Sequence, residues 1–443
     1  MANNKQKNVS GISTKANVST TRKNNIKIIG DNILYNNGII TAFYIIPLVN
    51  YSVASAMGVD RSVEDLSNMI ANLTTSNPEL TFTIERIEKV IRAKDVKNNL
   101  IETIKMYRDD YEMPLEFSKN IRDDIQDYCM IGIDIQQTDV TDVEDLTLLD
   151  TAKSVFKSTI NKMSGLGNLN ADPEQIMKSE ENIYRTINYK CVRATKELVF
   201  YNYVSKVFPC YEISYDKLSF INESNFESIM GTVTQTVSDN FGWFEMHNEG
   251  IDVFGLDPQT TYGCMLDVQA FPQIINTANF PMNYPNLVTT IRCLKKEDAR
   301  LKLKRTRAAD RYERDQAIEA GAEIEQIEAT QANIDIATAA IEDIESGNIL
   351  CNFNTSILVF AESKEELRSR IASIMTSCKD RNILVTKSLT QALDFLDNYI
   401  NKKPKKFAHM AAISFPLSFQ QNSGANVGDN SEDVWSPSIG EDL

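Results

Sequence analysis

The chain has 443 residues, and 46 Lys+Arg against 61 Asp+Glu give a formal net charge of −15. Hydrophobic residues make up 42% and charged residues 24%, the balance of an ordinary globular protein, and the length holds about two to four domains. The acidic balance excludes a protein that coats nucleic acid along its whole surface, and no run approaches the ~20 apolar residues of a bilayer-spanning helix.

Residues 1–25 are rich in Asn, Ser, Thr and Lys, with Lys5, Lys7, Lys15, Arg22 and Lys23 and no acid. Such a segment buries too little to order itself and has no apolar core of a secretory signal. We read it as a disordered basic arm, either a solubilising tail or a contact to anionic lipid. An α/β pattern follows. Ile26–Tyr35 and Ile39–Pro47 read as strands around the turn Asn36–Asn37–Gly38. Ser62–Val63–Glu64–Asp65 reads as a capping box that opens a helix, with Leu66, Met69, Ile70 and Leu73 at helical spacing. Leu80–Val90 alternates as a strand, and helices are expected over about 95–128, 143–163 and 174–206. The acidic run Asp134–Asp150 lacks the glycine and ligand spacing of a calcium loop and reads as a solvated linker.

The stretch 211–295 is β-rich, with strands expected at Tyr211–Ile221, Gly231–Val237, Trp243–Phe254, Tyr262–Phe271 and Leu287–Leu294. Phe241–Phe244 and Asn279–Tyr284 serve as core or as partner surface. A long helical segment over about 296–346 comes next. Nine basic and four acidic residues lie between Lys295 and Arg314, whereas Asp315–Ser346 holds nine acids and no Lys or Arg. Ile324, Ile327, Ile334, Ile341 and Ile344 form an apolar stripe near a coiled-coil repeat. A one-sided helix of this length needs a partner, and the simplest is itself: a hairpin folding near Ala317–Gly321, its basic arm matching its acidic arm charge by charge. Arg307, Arg311, Arg314, Ile324, Ile327, Ile334 and Ile341 are therefore the candidate interaction residues. The chain then reads strand (Ile349–Ala361), helix (Lys364–Cys378, capped by Ser363), strand (Ile383–Thr386), helix (Leu389–Tyr399) and strand (Ala408–Phe415). This alternation builds a sheet covered on one side by helices.

Catalytic signatures are few. His247 and His409 are the only histidines, which excludes a multi-histidine metal site. GxSxG, HExxH, GxGxxG and GxxxxGK[ST] do not occur. The seven cysteines have no CxxC and no regular spacing, so they read as reduced core residues of an intracellular protein. No catalytic, cofactor or metal residue is assigned, and the chain as given is read as no enzyme.

The order of elements nevertheless resembles a known family. The run CNFNTSILVFAESKEELRSRIASIMTSCKDRNILVTKSLTQALDFLDNYI and the later KKFAHMAAISFPLSF resemble the end of the N-terminal region of conjugative type IV secretion ATPases. These are the VirB/TraC/TrbE-type motors, in the form found on Gram-positive conjugative elements. The opening DNILYNNGIITAFYIIPLVNYSVAS resembles that family's first strands, and the likeness in element order spans most of 26–420. It implies an α+β fold of mixed or antiparallel sheets with packed helices and a long charged helical hairpin or coiled coil. The implied division is the basic arm at 1–25, a first subdomain at 26–210, a second at 211–419 with the insertion at 296–346, and a polar linker at 420–443. In the family a RecA-like motor follows; here no Walker lysine is carried over, and ATP and Mg are expected only in such a following domain.

The implied role is an adaptor and assembly domain. It docks the motor to inner-membrane channel components, supports self-association in DNA or protein transfer, and binds no nucleic acid directly. It is cytoplasmic, peripheral to the inner face of the membrane. The alternative is a motorless phage or plasmid structural protein that oligomerises through its helical arm.

Overall fold

The computed structural model describes residues 26–46 apart from 37, 56–91, 124–135, 173–210, 235–249 apart from 241, 257–271, 286–396 apart from 388 and 389, and 407–418, together with 97, 101, 104, 105 and 399. The basic arm, the helix expected over 143–163, most of the acidic run, the strand expected at 211–221, Asn279–Tyr284 and the tail at 420–443 lie outside the described residues.

The elements, in chain order, are β1 (Ile26–Ile29), β2 (Ile33–Asn36), β3 (Ile39–Ile46), α1 (Ala56–Ser76), β4 (Thr81–Ile91), β5 (Asp124–Asp134), α2 (Pro173–Ile187), β6 (Val192–Arg193), α3 (Lys196–Val207), β7 (Gln235–Asn240), β8 (Trp243–Asn248), β9 (Gln259–Ala270) and β10 (Leu287–Cys293). Then come α4 (Lys296–Glu319), α5 (Ile324–Glu345), β11 (Leu350–Ala361), α6 (Lys364–Asp380), β12 (Leu384–Lys387), α7 (Gln391–Phe395), β13 (His409–Ala412) and α8 (Ser414–Ser418). The fold is α+β. One sheet of antiparallel pairs runs in the order β1-β2-β3-β5-β4-β10-β11-β9-β8-β7, with β6 on β3, β13 on β11 and β12 on β9. Its centre is the pairing of β4 with β10, Phe82 opposite Ile291 and Glu85 opposite Val288, so strands from either side of residue 210 share one sheet.

Side chains alternate across a strand, and the two faces of the sheet carry separate cores. Cys129, Ile131, Ile133, Cys264, Leu266, Phe353 and Val359 point to one face, where they meet Met69, Ile70, Ile176, Leu367 and Ile371 of α1, α2 and α6. Met130, Met265, Leu358 and Phe360 point to the other and meet Val199, Phe200, Tyr203 and Val204 of α3 and Phe395 of α7. Helices therefore cover both faces, not one as the alternation implied. Runs such as Cys129–Ile133 are apolar at every position because both of their sides are buried.

That doubling also explains β5, which occupies Asp124–Asp134 where a helix to 128 was expected. The span expected as one helix over 174–206 is two. Thr195 caps α3, its side chain accepting a hydrogen bond from the backbone N–H of Leu198, after the two-residue β6 has added to β3. Ile26–Asn36 folds as two strands about a turn in which Gly30 takes a positive φ of 61°, a conformation open to glycine. Helix α1 begins at Ala56, so Ser62 lies inside it; Ala56–Arg61 contains no proline to stop the helix. At the far end Ala408–Phe415 divides into β13 and α8, with Pro416 in the first turn of α8, where a missing N–H costs nothing. Ser363 caps α6 as the sequence implied, accepting from the N–H of Glu366 at 3.2 Å.

Two polar assemblies are built into these cores. The buried carboxylate of Glu180 on α2 accepts from Asn32 Nδ2 at 3.1 Å, from Tyr44 Oη at 3.0 Å and from both Nε and Nη2 of Arg193, which lies over the Tyr184 ring. On the opposite face Glu85, Val288, Ser356, Asp267 and Thr386 form one row across five strands. Lys206 pairs with Glu85 there, and Ser356 Oγ donates to Asp267 Oδ1 at 2.7 Å.

Candidate interaction surface

The long helical segment folds as a hairpin. β10 leads into α4, a turn at Ala320–Glu323 reverses the chain, and α5 returns it to β11, the direct neighbour of β10. Strong helix formers fill both arms, and Glu297 and Asp298 stand in the first turn of α4, where the helix dipole favours negative charge. Both helices end in the same way. Gly321, at φ 68°, follows α4, with the N–H of Gly321 on Ile318 O and that of Ala322 on Ala317 O. Gly347, at φ 109°, follows α5, with Gly347 on Ile344 O and Asn348 on Asp343 O. These paired bonds satisfy the terminal carbonyls and require a residue at ease with positive φ.

The arms meet along one seam. From α5 it takes Thr330, Ile334, Ala337, Ile341 and Ile344, all buried, and Ile327, half-buried, at the alternating three- and four-residue spacing of a packed helix face. From α4 it takes buried Ala299, Leu303 and Ala317, with half-buried Arg307, Asp310 and Arg314 between them. Only the root is apolar on both sides: Ala299, Leu303, Ile341, Ile344 and Leu350 form a cluster against Leu294 and Met410. Farther out, the half-buried Arg307, Asp310 and Arg314 occupy the α4 side of the seam.

The candidate residues therefore divide. Ile334 and Ile341 are interior seam residues, Ile327 is at the seam margin, and Ile324 leaves the stripe entirely at 72% exposure. Arg307 and Arg314 sit on the seam, while Arg311 is exposed. The charge-by-charge match does not form. Among the described residues the ion pair between the arms is Arg300–Glu345 at 3.1 Å, and Arg314 Nη1 donates to Gln331 Oε1 at 2.7 Å while its other nitrogens turn to Asp315 on its own helix. The charged positions of α4 and α5 point outward along each helix more than across the seam, so most of the +5 and of the nine acids stays in solvent.

At the root, Thr74 and Pro78 beside the end of α1, Leu294–Glu297 and Gly347–Leu350 enclose a cleft of about 330 Å³. Lys295 bridges it to Glu79 at 3.6 Å, an exposed contact of little weight. The cysteines lie elsewhere and are sequestered. Six are buried and Cys210 is half-buried, and burial pushes the thiols of Cys129, Cys191, Cys264 and Cys293 up to about 12, so they stay protonated near neutral pH. No helix among the described residues is long and apolar enough to cross a membrane.

Residues 258–395 match the model of the CagE, TrbE, VirB family, component of the type IV transporter system. The match spans β9 to α7 and so encloses the hairpin, the strands that anchor it and the helix capped by Ser363. No curated protein matches the chain.

Proposed function

We propose that the chain, whose residues 258–395 match the CagE, TrbE, VirB family of type IV transporter components, acts as the adaptor and assembly module of a secretion ATPase. The hairpin is the docking element. It joins a motor to channel components at the inner membrane face, and it supports self-association during DNA or protein transfer. Nucleotide and Mg belong, in this reading, to a RecA-like motor domain and not to the residues described above.

One observation supports the reading most. The hairpin interrupts a paired β10–β11 ladder without altering its register, Cys293 opposite Cys351 at its very base. The sheet does not need the insertion to close, and the insertion carries exposed charge and exposed apolar side chains that no described residue covers. A 24-residue arm at 1.5 Å per residue extends about 36 Å, enough to reach a neighbouring subunit.

Replacing 296–346 by a short turn between β10 and β11 tests this. The full chain is expected to sediment with the transporter in the membrane fraction, and the shortened chain to fold, with its far-UV circular dichroism reduced by the lost helices alone, and to leave that fraction. Unchanged co-sedimentation of the shortened chain would overturn the docking role.

A further inference from the structure

We propose that the hairpins of successive copies of this chain pack edge to edge, the outer side of α5 in one copy against the outer side of α4 in the next. The proposal rests on the reading of the hairpin as an assembly element and adds the surfaces and the occupant.

At about 3.6 residues per turn, Leu301, Arg305, Ala308 and Tyr312 recur on the side of α4 opposite its seam residues Ala299, Leu303 and Ala317. Leu301 and Tyr312 are 49% and 67% exposed. On α5, Ala329, Ala332, Ile336 and Ala339 recur on the side away from Ile334 and Ile341, and Ile336 is 67% exposed. Each arm thus has a second, outward stripe, interrupted on α4 by Arg305, that no described residue covers. The two stripes lie on opposite outer edges of one flat two-helix unit. A unit apolar on both edges completes its burial by repeating, and contact between two different edges is heterologous, the geometry that builds rings or filaments.

Charge selects a second copy as the occupant. Lys304 and Arg311 flank the α4 stripe, and Glu328, Asp335 and Glu342 flank the α5 stripe. In antiparallel arms these rows fall on the same broad side of the hairpin, so a translated copy brings the acidic flank of α5 against the basic flank of its neighbour's α4. The heights agree as well. Counted from the turn at Ala320–Glu323, Ala308 and Ile336 lie within about one residue of each other, and Asp335 falls between the levels of Lys304 and Arg311. None of these five charged residues has an ion pair among the described residues; Asp335 accepts a hydrogen bond from Gln331 Nε2 at 2.8 Å through Oδ1, which leaves its other oxygen to a neighbour.

The test uses two differently tagged full chains, one carrying Ala308→Cys and the other Ile336→Cys. The natural cysteines are buried or half-buried and give little background. Mixed and oxidised, the pair is expected to yield a tag-mixed disulfide dimer that does not form when Ala308→Cys is mixed with the exposed control Met177→Cys on α2. Adding Lys304→Glu and Arg311→Glu to the first chain should cut the yield by about tenfold, the effect of two exposed pairs turned repulsive. Adding Asp335→Lys and Glu342→Lys to the second should then restore it. Cross-linking no faster than the Met177→Cys control, or a charge reversal that the compensating reversal does not rescue, would overturn the proposal. Either result would leave the docking role standing if the shortened chain still leaves the membrane fraction. Retained sedimentation of the shortened chain would instead remove the docking role itself.

Discussion

Glu180 holds together three segments that are distant in sequence. Its carboxylate takes hydrogen bonds from Asn32 beside β2, Tyr44 of β3 and Arg193 of β6, and burial with the adjacent carboxylate drives the Tyr44 hydroxyl well above its ordinary acidity range. Glu180→Ala leaves the buried donors of Asn32 and Tyr44 without their acceptor, while the part-exposed Arg193 keeps its pair with Glu181, so the loss is expected to be about 2 kcal/mol, measured as a shift of the urea midpoint. A loss under about 1 kcal/mol would show that water replaces the carboxylate freely. Asp267 behaves in the opposite sense. Burial raises its pKa above the ordinary 3.8, offset only in part by the Ser356 hydroxyl. A carboxyl raised in the folded state makes its ionised form a net cost, present at neutral pH and absent below about 3.8, where both folded and unfolded chains are protonated. Asp267→Asn should therefore melt higher than the parent at pH 7, and the gain should shrink to nothing as pH falls through the carboxylate range. Equal melting at pH 7, or a gain that grows in acid, would contradict this.

At the scale of elements, the hairpin is firm at one end and loosely held along the rest. Its root is an apolar cluster continuous with the foot of β11, whereas farther out isoleucine faces arginine and aspartate. Ile341→Ala, a buried truncation worth about 2–4 kcal/mol, should speed amide exchange throughout α4 and α5 while β10 and β11 keep their protection. Equal loosening of hairpin and ladder would mean that the insertion is part of the sheet's core. The charge segregation between 295 and 346 made the hairpin legible in the sequence, and its turn falls at Ala320–Glu323, just past the span expected from Ala317–Gly321. What the charges do was not legible. Composition gives the sign of an arm and not the direction its side chains take, so pairing across the seam was the natural expectation. The same limit hid the outer stripes, because alanines at heptad spacing carry too little contrast to mark a face.

At the scale of the whole molecule, elements whose sequence carries both a period and a stop were legible: β4, β10, β11, and α6 with its Ser363 cap. β5, also buried on both faces but without a turn or cap to mark it, was not. β5 begins with Asp124–Ile125–Gln126–Asp127 and then runs apolar without alternation, and it lost its strand signature to the requirement that each of its faces meet helices. The same requirement turned an expected one-sided sheet into a two-sided one. The candidate site was legible as a segment and not as a set of residues: Ile334 and Ile341 proved interior, Ile324 exposed, and the outward residues Leu301, Tyr312 and Ile336 were passed over because each looks like a lone exception on a polar face.

The central claim is that this scaffold serves transport by presenting the hairpin. Its most direct measurement is the transfer of substrate by cells whose only copy of the chain has 296–346 replaced by a short turn, compared with cells carrying the full chain at the same level. The account predicts that transfer is lost while the shortened protein accumulates and melts cooperatively. Full transfer by the shortened protein would contradict it.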